Sequence, residues 1–159
     1  MANKVLVAVF SASGVTKRVG QESARVCGGD FFEIVPAEKY TSADLNYMNS
    51  RSRSSVEMND PSARPAIANC VSDMDSYDTL IIGFPIWWGV APRIIETFLE
   101  SYDLSGKTII PFCTSGGSGV GRSDTALHKN VSGDVKWGKG VQINRPNEST
   151  IKSWLENAL

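Results

Sequence analysis

The sequence predicts an α/β chain built on a doubly wound five-stranded parallel sheet in the order 2-1-3-4-5. Three observations predict it. Apolar runs of strand length alternate with segments of helical period, and each run closes in a Gly, Pro or Ser cluster. Runs such as Thr79-Leu80-Ile81-Ile82 are apolar on both faces, as strands covered by helices on both sides must be. The 159 residues, 42% of them apolar, suffice for one buried core and leave no room for a second domain of ordinary size, so a single domain over 1–159 is expected.

In chain order, Val5-Leu6-Val7-Ala8-Val9-Phe10 fills a strand over 4–10 and breaks into Ser11-Ala12-Ser13-Gly14-Val15-Thr16 at the mouth of an amphipathic helix over 14–27. A strand over 30–35 precedes a long irregular insertion, residues 36–66, and a helix over 64–75 follows it. Strand 78–84 leads to the clearest helix, 92–102, where Ile94, Ile95, Phe98, Leu99 and Tyr102 form one stripe behind Pro92 in the first turn. Strand 107–114, helix 121–130 and strand 135–143 continue the alternation. The helix over 148–158 ends it, with Ile151, Trp154, Leu155 and Ala158 on its apolar face.

Open sheets of this kind bind ligands beyond the carboxyl ends of their strands, at the switch point between the first strand and the third. Three loops converge there. After strand one, Ser-x-Ser-Gly-x-Thr gathers hydroxyls and backbone N–H groups at the positive end of a helix dipole, where a phosphate binds well. It has neither the Gly-x-x-x-x-Gly-Lys-Ser/Thr spacing of a nucleoside triphosphate loop nor a Gly-x-Gly-x-x-Gly dinucleotide fingerprint, and it suits a compact phosphate monoester. The same composition also serves as a plain helix cap. After strand three, Pro85-Ile86-Trp87-Trp88-Gly89 carries two adjacent tryptophans on a stiff backbone. Either a planar ligand covers them, or one packs into the core while the other seals a loop. After strand four, Thr114-Ser115-Gly116-Gly117-Ser118-Gly119 offers N–H groups and close backbone approach to a heterocycle, or is a flexible loop. Their joint placement points to a flat cofactor that carries a phosphate.

At these residues the chain resembles the flavodoxin family, over nearly its whole length and in a bacterial flavodoxin-like branch. The resemblance implies a flavodoxin-like fold and FMN as cofactor. It implies that Ser11, Ser13, Gly14, Val15 and Thr16 hold the FMN phosphate, with serine in place of the family's central threonine. Pro85, Ile86, Trp87, Trp88 and Gly89 would line the isoalloxazine, and Thr114, Ser115, Gly116, Gly117 and Gly119 its other edge. Which tryptophan stacks stays open. Gly89 and Gly116 are the candidates for a peptide that reorients beside the ring. The implied function is electron carriage between redox partner proteins. The alternative is an NAD(P)H-dependent FMN oxidoreductase acting on quinones or nitroaromatics, for which small aromatic acceptors would be the partners. Family carriers are strongly acidic around the flavin, whereas this chain has a net charge of −1, which weakens electrostatic docking.

The same near-neutral charge gives no basic face for nucleic acid and no polybasic segment for a membrane surface. No apolar run approaches the ~20 residues that span a bilayer, and no leader pattern opens the chain, so a cytoplasmic location is expected. Cys27, Cys70 and Cys113 are widely spaced without a Cys-x-x-Cys pair, and read as reduced, buried hydrophobes. His128 sits on an expected surface helix beside Lys129 with no partners at triad or metal spacing, and no catalytic or metal-ligating residue is assigned. The insertion, with Tyr40, Tyr47, Arg51, Arg53, Glu57 and Arg64, either covers the cofactor or wraps the sheet edge. Its arginine-rich stretch reads as a solvated face.

Overall fold

Val5–Val9 forms β1, buried along its whole length and hydrogen-bonded on both edges, which is why so short a run is continuously apolar. The computed structural model describes residues 4–12, 14–46, 48–87, 90–114, 127–131, 133–138 and 140–158. In them, β1 is followed by α1 (Val15–Cys27), β2 (Asp30–Glu33), α2 (Arg53–Asn59), β3 (Thr79–Pro85), α3 (Arg93–Glu100), β4 (Thr108–Thr114), β5 (Lys136–Trp137), β6 (Val141–Gln142) and α4 (Glu148–Ala158). The ladders are parallel and run in the order β2-β1-β3-β4-β5, with β6 also on β4, as the alternation predicts.

The two faces of the sheet bury different helices. Leu6, Ala8, Phe10, Leu80, Ile82 and Phe84 pack on one face with Ile94, Ile95, Phe98 and Leu99 of α3. On the other face Val5, Val7, Val9, Ile81, Ile110 and Phe112 meet Val19 and Ala24 of α1 and Ile151 and Leu155 of α4. Alternate side chains of one strand point to opposite faces, so each strand needs apolar residues at every position. Gly83 is the exception on β3. A Cβ there would lie 2.2 Å from the Phe112 ring, so only glycine lets that ring cross the strand.

The structure corrects the sequence reading in several places. The expected strand over 135–143 is two short pieces. Thr108 and Ile109 pair with Lys136 and Trp137, whereas Phe112 and Cys113 pair with Val141 and Gln142, so the register on β4 differs by one residue between the two pieces. The change falls where Pro111 has no N–H to give to a ladder.

The helix expected over 64–75 does not form. Pro36 and Ile67 make an antiparallel bridge, the Ala37 N–H donates to the Ala66 carbonyl at 2.8 Å, and the Ala68 N–H donates to the Val35 carbonyl at 2.7 Å. The segment's backbone is thus satisfied by the chain beyond β2, and only a 3₁₀ turn at Met74–Ser76 is helical. Conversely, α2 lies within the stretch read as irregular, capped by Ser52, whose side chain accepts from the Ser55 N–H.

α3 stops at Glu100, and the Tyr102 hydroxyl instead accepts from the Val71 N–H at 2.9 Å. Of the helix expected over 121–130, residues 121–126 lie outside the described residues and 127–130 form a 3₁₀ turn. His128 is exposed there and stacks on Trp137 at 4.2 Å. The three cysteines are free, but only Cys113 is fully buried, and burial pushes its thiol up to about 11; Cys70 is exposed, against expectation.

Candidate functional site

The carboxyl ends of β1, β3 and β4 are level with one another. Val9 pairs with Gly83, Gly83 with Phe112, and Pro85 with Thr114, so the chain leaves all three strands on one rim. The Phe10 N–H donates to the Gly83 carbonyl at 3.0 Å, which carries β1 one residue further before the turn.

The turn is shaped by hydroxyls and one glycine. The Gly14 N–H donates to the Ser11 Oγ at 2.9 Å, and Gly14 takes φ +95°, a left-handed conformation that a side chain would strain. Thr16 is buried, and its hydroxyl pairs with that of Thr114 at 2.8 Å, tying the start of α1 to the end of β4. No side chain caps α1, and its first turn holds no carboxylate. Among the described residues no acceptor meets the N–H groups of Val15, Thr16 or Lys17. The described hydroxyls therefore do not cap the helix, and no group among the described residues neutralises its positive end, which favours an anion. Lys17 is not part of that end, since its ammonium pairs with Glu33 at 3.3 Å.

After β3, Ile86 stays on the sheet, its N–H donating to the Thr114 carbonyl at 3.1 Å. Trp87 and Val90 then exchange two backbone hydrogen bonds, 2.9 and 3.2 Å, which pin these two residues to each other just beyond β3. Trp87 is half-buried. Its ring meets Phe10 at 5.7 Å and Tyr40 at 5.5 Å, both edge-on. Of the two ways to house a tryptophan here, Trp87 takes the core side with one edge and keeps part of its surface free.

The insertion wraps the sheet edge, its start at Pro36 and Ala37 bridging to residues 66–67, and Tyr40 within it reaches the rim and packs on Phe10 at 5.6 Å. The Tyr40 hydroxyl donates to Glu57 Oε1 at 2.5 Å; burial, then this carboxylate, raises its pKa well above the usual phenol range. Glu57 also accepts from Arg53 Nε at 2.9 Å, one helical turn away. Arg93 donates to the Glu57 and Met58 carbonyls at 3.2 and 2.9 Å and to the buried Glu96 at 2.7 Å, and Arg64 bridges Glu96 and Glu100. Arg53 is thus not part of a solvated face, whereas Arg51 and Arg64 are exposed, Arg64 with its guanidinium paired to Glu96 and Glu100. Beside the turn, Phe10, Ser11, Ala12, Lys17, Val35 and Tyr40 help to line a cavity of ≈ 400 Å³.

The structure therefore brings together Ser11, Gly14, Val15, Thr16, Pro85, Ile86, Trp87 and Thr114 on one rim. Ser13, Trp88, Gly89, Ser115, Gly116, Gly117 and Gly119 lie outside the described residues, as does Tyr47. Sequence reasoning missed Phe10 and the joint action of Tyr40, Arg53 and Glu57. The four-residue spacing of Arg53 and Glu57, an ion pair on any helix, was the signal available. Among the described residues no cluster could hold a metal ion, and no helix is long and apolar enough to cross a membrane.

A family model described as Flavodoxin matches residues 4–158. A protein of Bacteroides eggerthii, provisionally classed as a flavoprotein, is 51% identical over 98% of each chain and superposes with a TM-score of 0.93. One of Bacteroides uniformis, classed in the same way, is 48% identical over 98% of this chain and 99% of its own, with a TM-score of 0.92. A Lactobacillus acidophilus flavoprotein in complex with FMN shares the fold, at 22% identity over 97% and 99% of the chains and a TM-score of 0.67. No curated protein matches the chain. With its parallel sheet in the order β2-β1-β3-β4-β5 and a family model that matches residues 4–158, the chain belongs to the flavodoxin family.

Proposed function

We propose that this protein binds FMN at the rim of β1, β3 and β4 and carries electrons between redox partner proteins. The observation that carries the reading is the open amino end of α1. It has N–H groups that meet no acceptor among the described residues, no carboxylate in its first turn, a glycine in the left-handed conformation and a buried hydroxyl pair, which together suit a phosphate monoester dianion. Ser11, Ser13, Gly14, Val15 and Thr16 would hold the phosphate. Pro85, Ile86, Trp87, Trp88 and Gly89 would flank one side of the isoalloxazine, and Thr114, Ser115, Gly116, Gly117 and Gly119 the other. Once bound, FMN supplies reversible electron acceptance, while the chain fixes its orientation and limits access to it. Family membership and the FMN complex of the Lactobacillus acidophilus flavoprotein support the choice of cofactor.

A second reading, an NAD(P)H-dependent FMN oxidoreductase acting on quinones or nitroaromatics, is favoured by the cavity beside the turn, whose ≈ 400 Å³, walled in part by the Phe10 and Tyr40 rings, is enough for a small flat molecule. Anaerobic titration separates the two. FMN fluorescence should be quenched on binding, and the bound flavin should keep its visible absorbance when NADPH or NADH is added yet bleach with dithionite. Rapid bleaching by the nicotinamide would replace the carrier reading with the oxidoreductase. Unquenched FMN at micromolar protein would overturn both.

A further inference from the structure

Trp87 is the described tryptophan of the rim, and three rings meet around it. Phe10, Tyr40 and Trp87 touch pairwise at 5.6, 5.7 and 5.5 Å, each pair edge to face. Such contacts fix the relative tilt of rings as well as burying their area. Phe10 is 2% exposed and continues β1, so it is a fixed floor. Tyr40 has no such support from the sheet. It lies in an irregular stretch, and what holds it comes from α2.

The hold is polar and has three parts. The Tyr40 hydroxyl donates to Glu57 at 2.5 Å, the Arg53 guanidinium stands 3.8 Å from the centre of the Tyr40 ring, and Arg53 binds both Glu57 and, at 2.6 Å, the Glu38 carbonyl beside Tyr40. A cation over a partly desolvated ring and a charge-assisted hydrogen bond are each stronger than their exposed counterparts. Because burial keeps the phenol protonated, the donor persists throughout the neutral and mildly alkaline range. α2 is in turn fixed to the amino end of α3 by Arg93, which grips the Glu57 and Met58 carbonyls. A continuous path of contacts thus runs from α3, part of the core, through α2 to the edge of Trp87.

We infer that Tyr40, clamped by Glu57 and Arg53, is the positioning residue for Trp87, holding the indole at the tilt that FMN meets. This rests on the proposal that Trp87 borders the isoalloxazine, and the test separates the two. The protein is labelled with 5-fluorotryptophan, and the Trp87 signal among its four tryptophans is identified by Trp87→Phe. Fluorine NMR of the protein before FMN addition is then compared with FMN affinity by fluorescence quenching, in single and double variants.

Tyr40→Leu should move the Trp87 resonance while leaving the other three in place, which also reports an intact fold. It should weaken FMN binding about tenfold, the scale of one or two lost ring contacts. In the Trp87→Phe background the same change should cost less than about twofold, because the two residues act as one unit. Glu57→Gln, which keeps the ring but weakens its clamp, should move the resonance in the same direction with a smaller loss of affinity, and serves if Tyr40→Leu does not fold. An unmoved Trp87 resonance, or an equal loss of affinity in both backgrounds, would overturn the inference. Wild-type affinity in Trp87→Phe itself would instead remove Trp87 from the FMN site, while the resonance still decides whether Tyr40 positions the indole.

Discussion

The two walls of the rim are made by opposite means. The turn after β1 is local: it is set by a left-handed glycine, the Ser11 hydroxyl and the end of one helix, and a long-range bond from Thr16 to Thr114 anchors it. The wall built by residues 36–66 has little regular structure of its own and depends on charges far apart in sequence. Arg64 reaches Glu96 and Glu100, and Arg93 reaches the carbonyls that end α2. A local device tolerates change elsewhere in the chain, whereas a wall of long-range ion pairs fails together when one buried partner is lost.

Breaking that wall should have the largest effect. Glu96→Ala removes the carboxylate that receives both Arg93 and Arg64, and breaking a buried pair from one side leaves uncompensated charge, so it should cost about 3 kcal/mol in urea unfolding. Limited proteolysis should then cut first within residues 36–66; a first cut in the sheet would mean that the wall does not depend on Glu96. Gly83→Val tests the sheet under both walls. Its added carbons would collide with the Phe112 ring, at an expected cost of about 2 kcal/mol, and native-state hydrogen exchange should rise in β3 and β4 rather than in α2. The smallest change is Thr16→Val, which leaves the buried Thr114 hydroxyl without its partner for about 1 kcal/mol. It should weaken FMN binding more than Glu96→Ala does, and the reverse ranking would erase the distinction between the walls.

What the sequence makes legible follows the same division. β1, its turn and α3 are readable because periodicity, Gly14 and Pro92 act on their immediate neighbours. The same logic misleads at 64–75. Ile67, Val71 and Met74 recur at helical spacing, yet Ile67 bridges to Pro36 and Val71 binds Tyr102, so an irregular segment buries what a helix would have buried. The pairings of Arg53 and Arg64 are hidden in the sequence because their partners, a phenol ring in one case and a helix more than thirty residues on in the other, meet them only in the folded chain. The split of the last strand is written in Pro111, which sits on the neighbouring strand and so is invisible to a reading of 135–143 alone.

That interrupted strand has a consequence for how copies of the chain behave at high concentration. A long, straight margin of unpaired N–H and C=O groups is a template on which another molecule can add a strand and start an aggregate. Here one margin consists of two dipeptides whose registers on β4 differ by one residue, and the other strand at the border, β2, is only four residues long and begins and ends with acidic side chains. Neither border offers enough uninterrupted length for intermolecular strand pairing, a protection that matters for a protein whose net charge of −1 gives it little mutual repulsion.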